Sequence, residues 1–492
     1  MQYAATSLDP SIHESAASRW HVPLWRDLFI VTLLWKLRKG PSVFFGAVRS
    51  AATRVSGIAA GFLLLRALWE RWARAQSAKH RGPNSIFDVM ATVKPTGKTV
   101  AIIGTGISGI QCIKTSLAEG MAPTVFEADG DIGGFWRYKP AVDQPSIYES
   151  THIDTDRDLA GYADVPWNAH MPLTIKNDAL TAYVKENAEL FGLRQYIRFS
   201  TKVLLVKPHE RQADGRFNWA VTSQTGMAAP VTEVYDAVLV ATGRHGGGAA
   251  IPEFEGMAEF AKPIIHSSQY KEPKAHGIDG TKTVVVVGIG NSGLDTVTEI
   301  SPLAKRTVLV SRSGAWITRL PHGDVAFSHD VGMQVAVEAL LSLPFFLSTE
   351  ILERVGTFMF TDMVKDQAIL NKHGLEPKHR MTQQHPLMTG LNGRATLHDE
   401  LEAGRVEVKK GIKRFTTTAV VFTDDSTVEA DLVVLATGFK QQASFVDPQV
   451  VDMRFSRSGN DTMLYKAIFP CKPEYCTLGF IVRVFFRIRR RP

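Results

Sequence analysis

The chain has 492 residues, 45% hydrophobic and 21% charged, which excludes a largely disordered or collagen-like polymer and supplies roughly three domains' worth of polypeptide. Its three cysteines, Cys112, Cys471 and Cys476, exclude a disulfide framework, lack metal-ligand spacing with histidine, and suit a reducing compartment; no metal site is expected. The net charge of +7 belongs to the ends: residues 1–82 carry twelve Lys/Arg against four Asp/Glu, and the last ten residues add five arginines. What lies between is net −6, which argues against a nucleic-acid partner.

Residues 1–82 hold five of the nine tryptophans (Trp20, Trp25, Trp35, Trp69, Trp72) beside apolar stretches at 28–35 and 55–65. The longer stretch, eleven residues between Arg54 and Arg66, falls short of the ~20 apolar positions a spanning helix needs. Tryptophan mixed with arginine predicts a helical extension lying on a membrane surface, where indole and guanidinium each keep one wet end. Helices packed on the body of the protein, or a cleaved targeting peptide, are the other readings. His80 to Ser85, with Gly82 and Pro83, reads as a linker.

Thr99 to Ile103 is a short apolar run that predicts a buried strand, followed by Gly104-Thr105-Gly106-Ile107-Ser108-Gly109 and a helical stretch to Glu119. In such a turn the first glycine makes the bend, the second lets backbone approach a pyrophosphate, and the third packs helix on strand. The phosphates would meet the unpaired N–H groups of the helix N-terminus. A second strand, Thr124 to Phe126, ends in Glu127, 23 positions after Gly104, where a carboxylate can accept from ribose hydroxyls.

The pattern recurs. Thr283 to Val287 runs into Gly288-Ile289-Gly290-Asn291-Ser292-Gly293 and another helical stretch. Here the second strand, Val308 to Val310, runs into Ser311-Arg312-Ser313. A cation stands where an acid would repel a 2′-phosphate, so this turn is expected to prefer NADP to NAD; a solvated surface arginine is the alternative. An internal echo accompanies the pair: Asp236-Ala-Val-Leu-Val-Ala-Thr-Gly243 and Asp431-Leu-Val-Val-Leu-Ala-Thr-Gly438. Small residues closing each strand would let another segment or a ligand approach the sheet edge, though a core strand before a turn reads the same way.

Four blocks between and around these turns carry a resemblance: Val125-Phe-Glu127 with Ile132-Gly-Gly134-Phe135-Trp136; Ile147-Tyr-Glu-Ser150; Phe260-Ala-Lys-Pro-Ile-Ile-His266-Ser-Ser-Gln-Tyr270-Lys; and Ser311-Arg-Ser-Gly-Ala-Trp316. Gly374-Leu-Glu-Pro377 and Leu391-Asn392 extend it, so that about residues 98–480 resemble the flavin-containing monooxygenase family. The third block resembles that family's linker, F-x-G-x-x-x-H-x-x-x-[F/Y], with His266 and Tyr270 in place and Lys262 where glycine is usual.

The resemblance implies an α/β fold of two Rossmann-like dinucleotide-binding domains, an FAD domain with an inserted NADP domain, beside the helical N-terminal extension. The boundaries expected are 1–82 for the extension, 97–250 with 425–480 for the FAD domain, 251–424 for the NADP domain with a helical insertion at 322–395, and 481–492 for a basic tail. It also implies that NADPH reduces FAD, and that a C4a-hydroperoxyflavin passes oxygen to a soft nitrogen or sulfur of a small-molecule substrate, with O2 as co-substrate. Such chemistry asks the protein for positioning and exclusion of water rather than an acid–base dyad. The FAD site is expected at Gly104, Thr105, Gly106, Ile107, Ser108, Gly109, Glu127, Gly134, Phe135, Trp136, Asp154 and Thr155, and the NADP site at Gly288, Gly290, Asn291, Ser292, Gly293 and Arg312.

Asp154 is the one residue given a catalytic role, and it departs from the family, which commonly places asparagine beside flavin and nicotinamide. An amide donates and accepts, whereas an ionised carboxylate only accepts and adds charge. A loop carboxylate acting as a cap is the other reading. Beyond Tyr475 to Ile481 the chain ends in an arginine-rich tail unlike the family's continuation, either an amphipathic lipid-touching segment or a shortened end that weakens the flavin site. Residues 331–361, with Pro344, read as a tunnel wall, a membrane-facing patch or a core helix. The spacing of Cys471 and Cys476 suggests a redox pair, but they lie too far from the first turn, and structural thiols are expected. A Baeyer–Villiger monooxygenase, whose linker ends in tryptophan followed by Pro or Asp, and a catalytically impaired NADP-binding membrane protein are the competing functions. The expected location is a cytosol-facing membrane such as the endoplasmic reticulum, or else the cytoplasm; oligomeric state is not legible.

Overall fold

The computed structural model describes residues 89–481 apart from 91, 157–159, 163, 166, 169, 173, 244, 318–360, 379–396, 441–442, 452–463 and 465–467. The N-terminal extension, the tail from 482 on and most of the expected helical insertion therefore lie outside the described residues.

The apolar run after Lys98 forms β1 (Thr99–Ile103), the glycine turn leads into α1 (Ile107–Ala118), and β2 (Ala122–Phe126) returns parallel to β1. The strand begins two residues earlier than Thr124 because Ala122 pairs with Thr99 at the sheet's open end. A short antiparallel pair, β3 (His152–Asp156) and β4 (Thr174–Lys176), precedes α2 (Asn177–Leu190) and β5 (Ile197–Arg198). Then β6 (Thr201–Arg211), β7 (Phe217–Thr225) and β8 (Val231–Tyr235) form an antiparallel meander before β9 (Ala237–Val240).

The second fold repeats this plan. Its parallel strands are β10 (Ile264–His266), β11 (Thr283–Val287), β12 (Arg306–Val310) and β13 (Val406–Lys409), with α3 (Asn291–Ile300) after β11 and α4 (Thr361–Lys372) and α5 (Leu397–Glu402) before β13. A meander of β14 (Ile412–Phe415), β15 (Ala419–Phe422) and β16 (Thr427–Glu429) leads to β17 (Leu432–Leu435), and β18 (Leu478–Phe480) rejoins the first sheet. The sheet orders are β18-β9-β1-β2-β5 and β10-β17-β11-β12-β13. The return to the first fold thus comes later than the expected 425, since β17 lies between β10 and β11. Its four apolar residues pair in register with β11, and three of them, Val433 to Leu435, also with β10, which holds it there.

Strand alternation builds the same three layers twice. In β1, Val100 and Ile102 pack toward Ile110, Ile113 and Val184 of the helices, while Ala101 and Ile103 pack toward Trp219 and Val221 of the meander. In β11, Val284 and Val286 meet Leu294 and Val297, while Val285 and Val287 meet Phe415 and Val420. A parallel sheet needs cover on both faces, which is why its strands read as continuous apolar runs. The echoed aspartates staple the strand starts. Asp236 accepts from the Thr99 N–H at 2.8 Å and Asp431 from the Thr283 N–H at 2.9 Å.

Candidate functional site

Each glycine turn sits on one of the echoed Ala-Thr-Gly segments. Gly104 has φ +102, and a Cβ there would lie 2.8 Å from the Ala241 carbonyl oxygen. Gly288 has φ +117, and a Cβ would lie 2.3 Å from the Ala436 oxygen. The third glycines, Gly109 and Gly293, would put a Cβ 2.0 and 2.1 Å from the Gly104 and Gly288 oxygens, so helix and turn touch backbone to backbone.

The middle glycines differ in kind. Gly106 has φ −70 and ψ −172, and Gly290 φ −74 and ψ −179, extended backbone open to any residue. A Cβ on Gly290 would meet nothing within 4 Å, and one on Gly106 only the Gly134 Cα at 3.8 Å. Among the described residues no packing requires these two glycines, whereas a diphosphate laid against the helix N-termini would. The residues present therefore fit a dinucleotide at each turn.

Around the first turn the chain folds back on itself. Glu127, buried at the end of β2, accepts from the Thr105 N–H at 2.8 Å and hydroxyl at 2.6 Å through Oε2, and from the Asp129 N–H at 2.8 Å through Oε1. One lone pair on Oε1 remains for a ribose hydroxyl. This commitment to Thr105 is additional to the role expected from sequence. Gly133 donates its N–H to the Thr105 oxygen at 3.2 Å, bringing the 3₁₀ turn Gly134–Trp136 against Gly106. Ile107 accepts from the Tyr162 hydroxyl through its carbonyl, and Ser108 follows it, half-buried, in the first turn of α1. Asp129 is clamped by Arg137 and Lys139, which hold its carboxyl at about 2 against the opposing effect of burial.

Asp154 and Thr155 lie on β3, directly after buried Ile153. Arg312 is exposed just past β12, whose Val310 pairs with Val287 beside the second turn. Asn291 and Ser292 open α3, Asn291 exposed and Ser292 half-buried.

Sequence reasoning missed an aromatic junction. Phe135 packs on His245 at 4.6 Å and on Phe439 at 5.4 Å; His245 and Phe439 are 4.1 Å apart, and His266 meets Phe439 at 4.9 Å. His245 and Phe439 follow the two Ala-Thr-Gly segments, which run side by side here, the Ala250 N–H donating to the Gly438 oxygen and the Lys440 N–H to the Gly248 oxygen, both at 2.9 Å. The only advance signal was the echo.

The linker is buried in this junction. The backbone N–H of Ser268 donates to His266 Nδ1 at 3.2 Å, so Nδ1 is the unprotonated nitrogen and Nε2–H donates to the Gly438 oxygen at 2.9 Å. Burial lowers the His266 pKa and keeps the ring neutral. Lys262, where the family pattern has glycine, is exposed and has no positive φ, so the substitution needs no adjustment. Lys271, fully buried, donates through Nζ to the Gln144 oxygen at 2.8 Å and Ser146 Oγ at 2.7 Å, and burial with nearby Lys139 lowers it to about 8. Cys112 is a core thiol pushed up to about 12 by burial, and Cys471 and Cys476 are exposed. Among the described residues no helix is long and apolar enough to cross a membrane. The segments on which a membrane-surface reading rests lie outside them.

Two glycine turns on paired parallel sheets, joined by a buried linker, define an oxidoreductase of the two-dinucleotide class. A family model described as flavin-binding monooxygenase-like matches residues 97–485. Flavin-containing monooxygenase 5 of Oryctolagus cuniculus is 35% identical over 393 residues, covering 78% of this chain and 69% of that protein. Flavin-containing monooxygenase 3 of Homo sapiens is 31% identical over 393 residues, with 78% and 69% covered. Among solved structures, a flavin-containing monooxygenase from Stenotrophomonas maltophilia has a TM-score of 0.54 at 16% identity, covering 78% of this chain and 89% of that one. An oxidised steroid monooxygenase bound to NADP has a TM-score of 0.51 at 20% identity, covering 70% and 72%. The chain belongs to the flavin-binding monooxygenase-like family. It is an FAD-dependent NADPH monooxygenase acting on a small molecule with O2.

Proposed function

We propose that the enzyme oxygenates soft nucleophilic nitrogen or sulfur atoms. The observation that carries this reading is the pair of middle glycines, Gly106 and Gly290, which no packing among the described residues requires, beside a linker whose His266 and Tyr270 match the family's pattern. In this reading Gly104 to Gly109, Glu127 and the Gly134–Trp136 turn hold FAD, and Gly288 to Gly293 hold NADPH with Arg312 at its 2′-phosphate. FAD, when bound and reduced, supplies the electrons that split O2 between substrate and water.

The chain's own residues then have three tasks. The helix N-termini at Ile107 and Asn291 bind diphosphate. Phe135 and Phe439, with His266 buried beneath them, form an apolar seam at the junction that narrows the approach of water. Asp154, on β3, is a carboxylate where the family commonly has an amide; Asp154→Asn is expected to lower the peroxide released per NADPH consumed. The linker favours this reading over ketone oxygenation, since Tyr270 and Lys271 stand where the Baeyer–Villiger pattern has tryptophan followed by Pro or Asp. The basic ends are assigned to an anionic, cytosol-facing membrane surface, testable by flotation of the full chain with anionic vesicles.

The deciding experiment follows NADPH oxidation by purified enzyme with tertiary amines, thioethers and cyclic ketones while measuring product and peroxide. Oxygenated amines or sulfides support the reading. Esters from ketones alone, or peroxide alone, overturn it.

A further inference from the structure

Helix α3, which begins at the second glycine turn, carries Asp295 and Glu299 four residues apart and hence on one face. Both accept from hydroxyls of the 148–150 segment of the first fold, and Glu299 accepts from the linker as well. Tyr148, buried in the Ile147-Tyr-Glu-Ser150 segment, donates its hydroxyl to Asp295 Oδ2. Glu299 Oε2 accepts from the linker's Tyr270 hydroxyl at 3.0 Å and from Ser150 Oγ at 3.3 Å. The two tyrosine rings lie 6.0 Å apart, and Tyr270, fully buried, stacks on His276 at 5.4 Å.

The far side of this contact is held firmly. Asn177 Nδ2 at the start of α2 donates to the Glu149 oxygen at 2.8 Å and to the Tyr148 and Thr151 oxygens at 3.3 Å. The Ser146 and Glu149 N–H groups donate to the Ser268 and Lys271 oxygens, both at 3.0 Å, binding the segment to the linker. Thr151 leads directly into β3 and Asp154. Hydrogen bonds thus connect α3, which opens at the second turn, to residues 148–151, and the chain then continues directly into β3.

We propose that Asp295 and Glu299 are positioning residues that fix the rotation of α3 against the 148–151 segment, and so set the approach of NADPH to the flavin. This rests on the reading that the second turn holds NADPH. Hydroxyl-to-carboxylate hydrogen bonds are directional, and three of them on one face of a helix suit it to being held at one rotation rather than merely adhering. Electron transfer as hydride between two bound rings is steeply sensitive to such placement.

The test uses the FAD-loaded enzyme with Tyr148→Phe, Tyr148→Phe/Tyr270→Phe and the conservative Glu299→Gln. Three quantities are read: the anaerobic single-turnover rate of flavin bleaching by NADPH, the change in the visible flavin band on adding NADP⁺, and the calorimetric affinity for 2′,5′-ADP, which probes the second turn alone. The double variant should bleach about ten-fold more slowly and lose most of the NADP⁺-induced band change, while its 2′,5′-ADP affinity stays within about two-fold of wild type. Glu299→Gln, which still accepts from both hydroxyls, should stay near wild type. Should the double variant shed its flavin, Tyr148→Phe and Ser150→Ala carry the same comparison with smaller expected effects.

Unchanged bleaching and band change in variants that hold FAD overturn the inference. So does an affinity for 2′,5′-ADP that falls as far as the bleaching rate, for the carboxylates would then only support the turn. Wild-type enzyme that NADPH cannot bleach overturns the cofactor reading itself, and this inference with it.

Discussion

Replacing Gly290 with alanine separates a role in folding from a role in binding. The backbone there is extended, with φ −74 and ψ −179, and the added methyl meets nothing within 4 Å. Such a substitution leaves packing intact and, by restricting the unfolded chain, stabilises by about 0.4–1 kcal/mol. If a diphosphate lies against the N-terminus of α3, the methyl occupies its path and lengthens at least one N–H-to-phosphate bond. A hydrogen bond to a charged group contributes about 1.5–3 kcal/mol, and a tenfold change in affinity is about 1.4 kcal/mol. The affinity for NADP⁺ should therefore fall about ten- to a hundred-fold while the unfolding midpoint of the FAD-loaded protein holds or rises. Calorimetric titration with NADP⁺, beside denaturant unfolding, reads both. Gly293→Ala is the control, since its methyl would sit 2.1 Å from the Gly288 oxygen and must cost stability. An alanine at 290 that leaves both affinity and stability unchanged would refute the assignment of this turn to a dinucleotide.

Gly109→Ala, with its methyl 2.0 Å from the Gly104 oxygen, should displace the first turn, cost about 1–3 kcal/mol or more, and give protein with little flavin absorbance. Glu127→Gln should weaken FAD retention during dialysis, because the amide nitrogen cannot accept and one of the bonds from Thr105 or Asp129 is lost; undiminished flavin content would count against it. Burial holds the pKa of His266 below its ordinary 6.5, so as pH falls through 6.5 the unfolded chain takes up a proton that the folded chain refuses. Stability should fall on acidification, and His266→Gln should flatten that slope in denaturation midpoints measured from pH 7.5 downward. Lys271, lowered from 10.5 to about 8, binds fewer protons folded than unfolded between those values. Stability should consequently rise with pH across that window, a trend that Lys271→Met abolishes.

What could be read in advance was whatever a short stretch of chain decides by itself. Thr99–Ile103 and Thr283–Val287 are strands with the bounds that their runs predict, because after the opening threonine each run buried on both faces is wholly apolar. The division of labour among the three glycines followed from known turn geometry, and the Ala-Thr-Gly echo marked where backbone comes close, at Ala241 and Ala436. Contacts between distant segments were not legible. Nothing near His245 announces Phe439, and nothing beside Lys271 in the chain announces the Gln144 carbonyl and Ser146 hydroxyl that receive its ammonium. From sequence Glu127 reads as a ribose acceptor, and its bonds to Thr105 follow only from the parallel register of β1 and β2. The late return of the chain escaped notice for a related reason, as Leu432–Leu435 is as apolar as a strand of either sheet.

The ribbon formed by residues 248–250 and 437–440 has a bearing on how such a molecule is assembled. Ala249 bridges Phe439 in antiparallel fashion, and Thr437 Oγ1 donates to the Ala250 oxygen at 2.6 Å, so the chain departs for the second fold and comes home through the same doorway. A module whose two ends emerge as neighbours imposes little closure entropy on its host, because the gap it leaves is already short. The host sheet can therefore wait for β18, its last strand, across more than two hundred intervening residues without being pulled open.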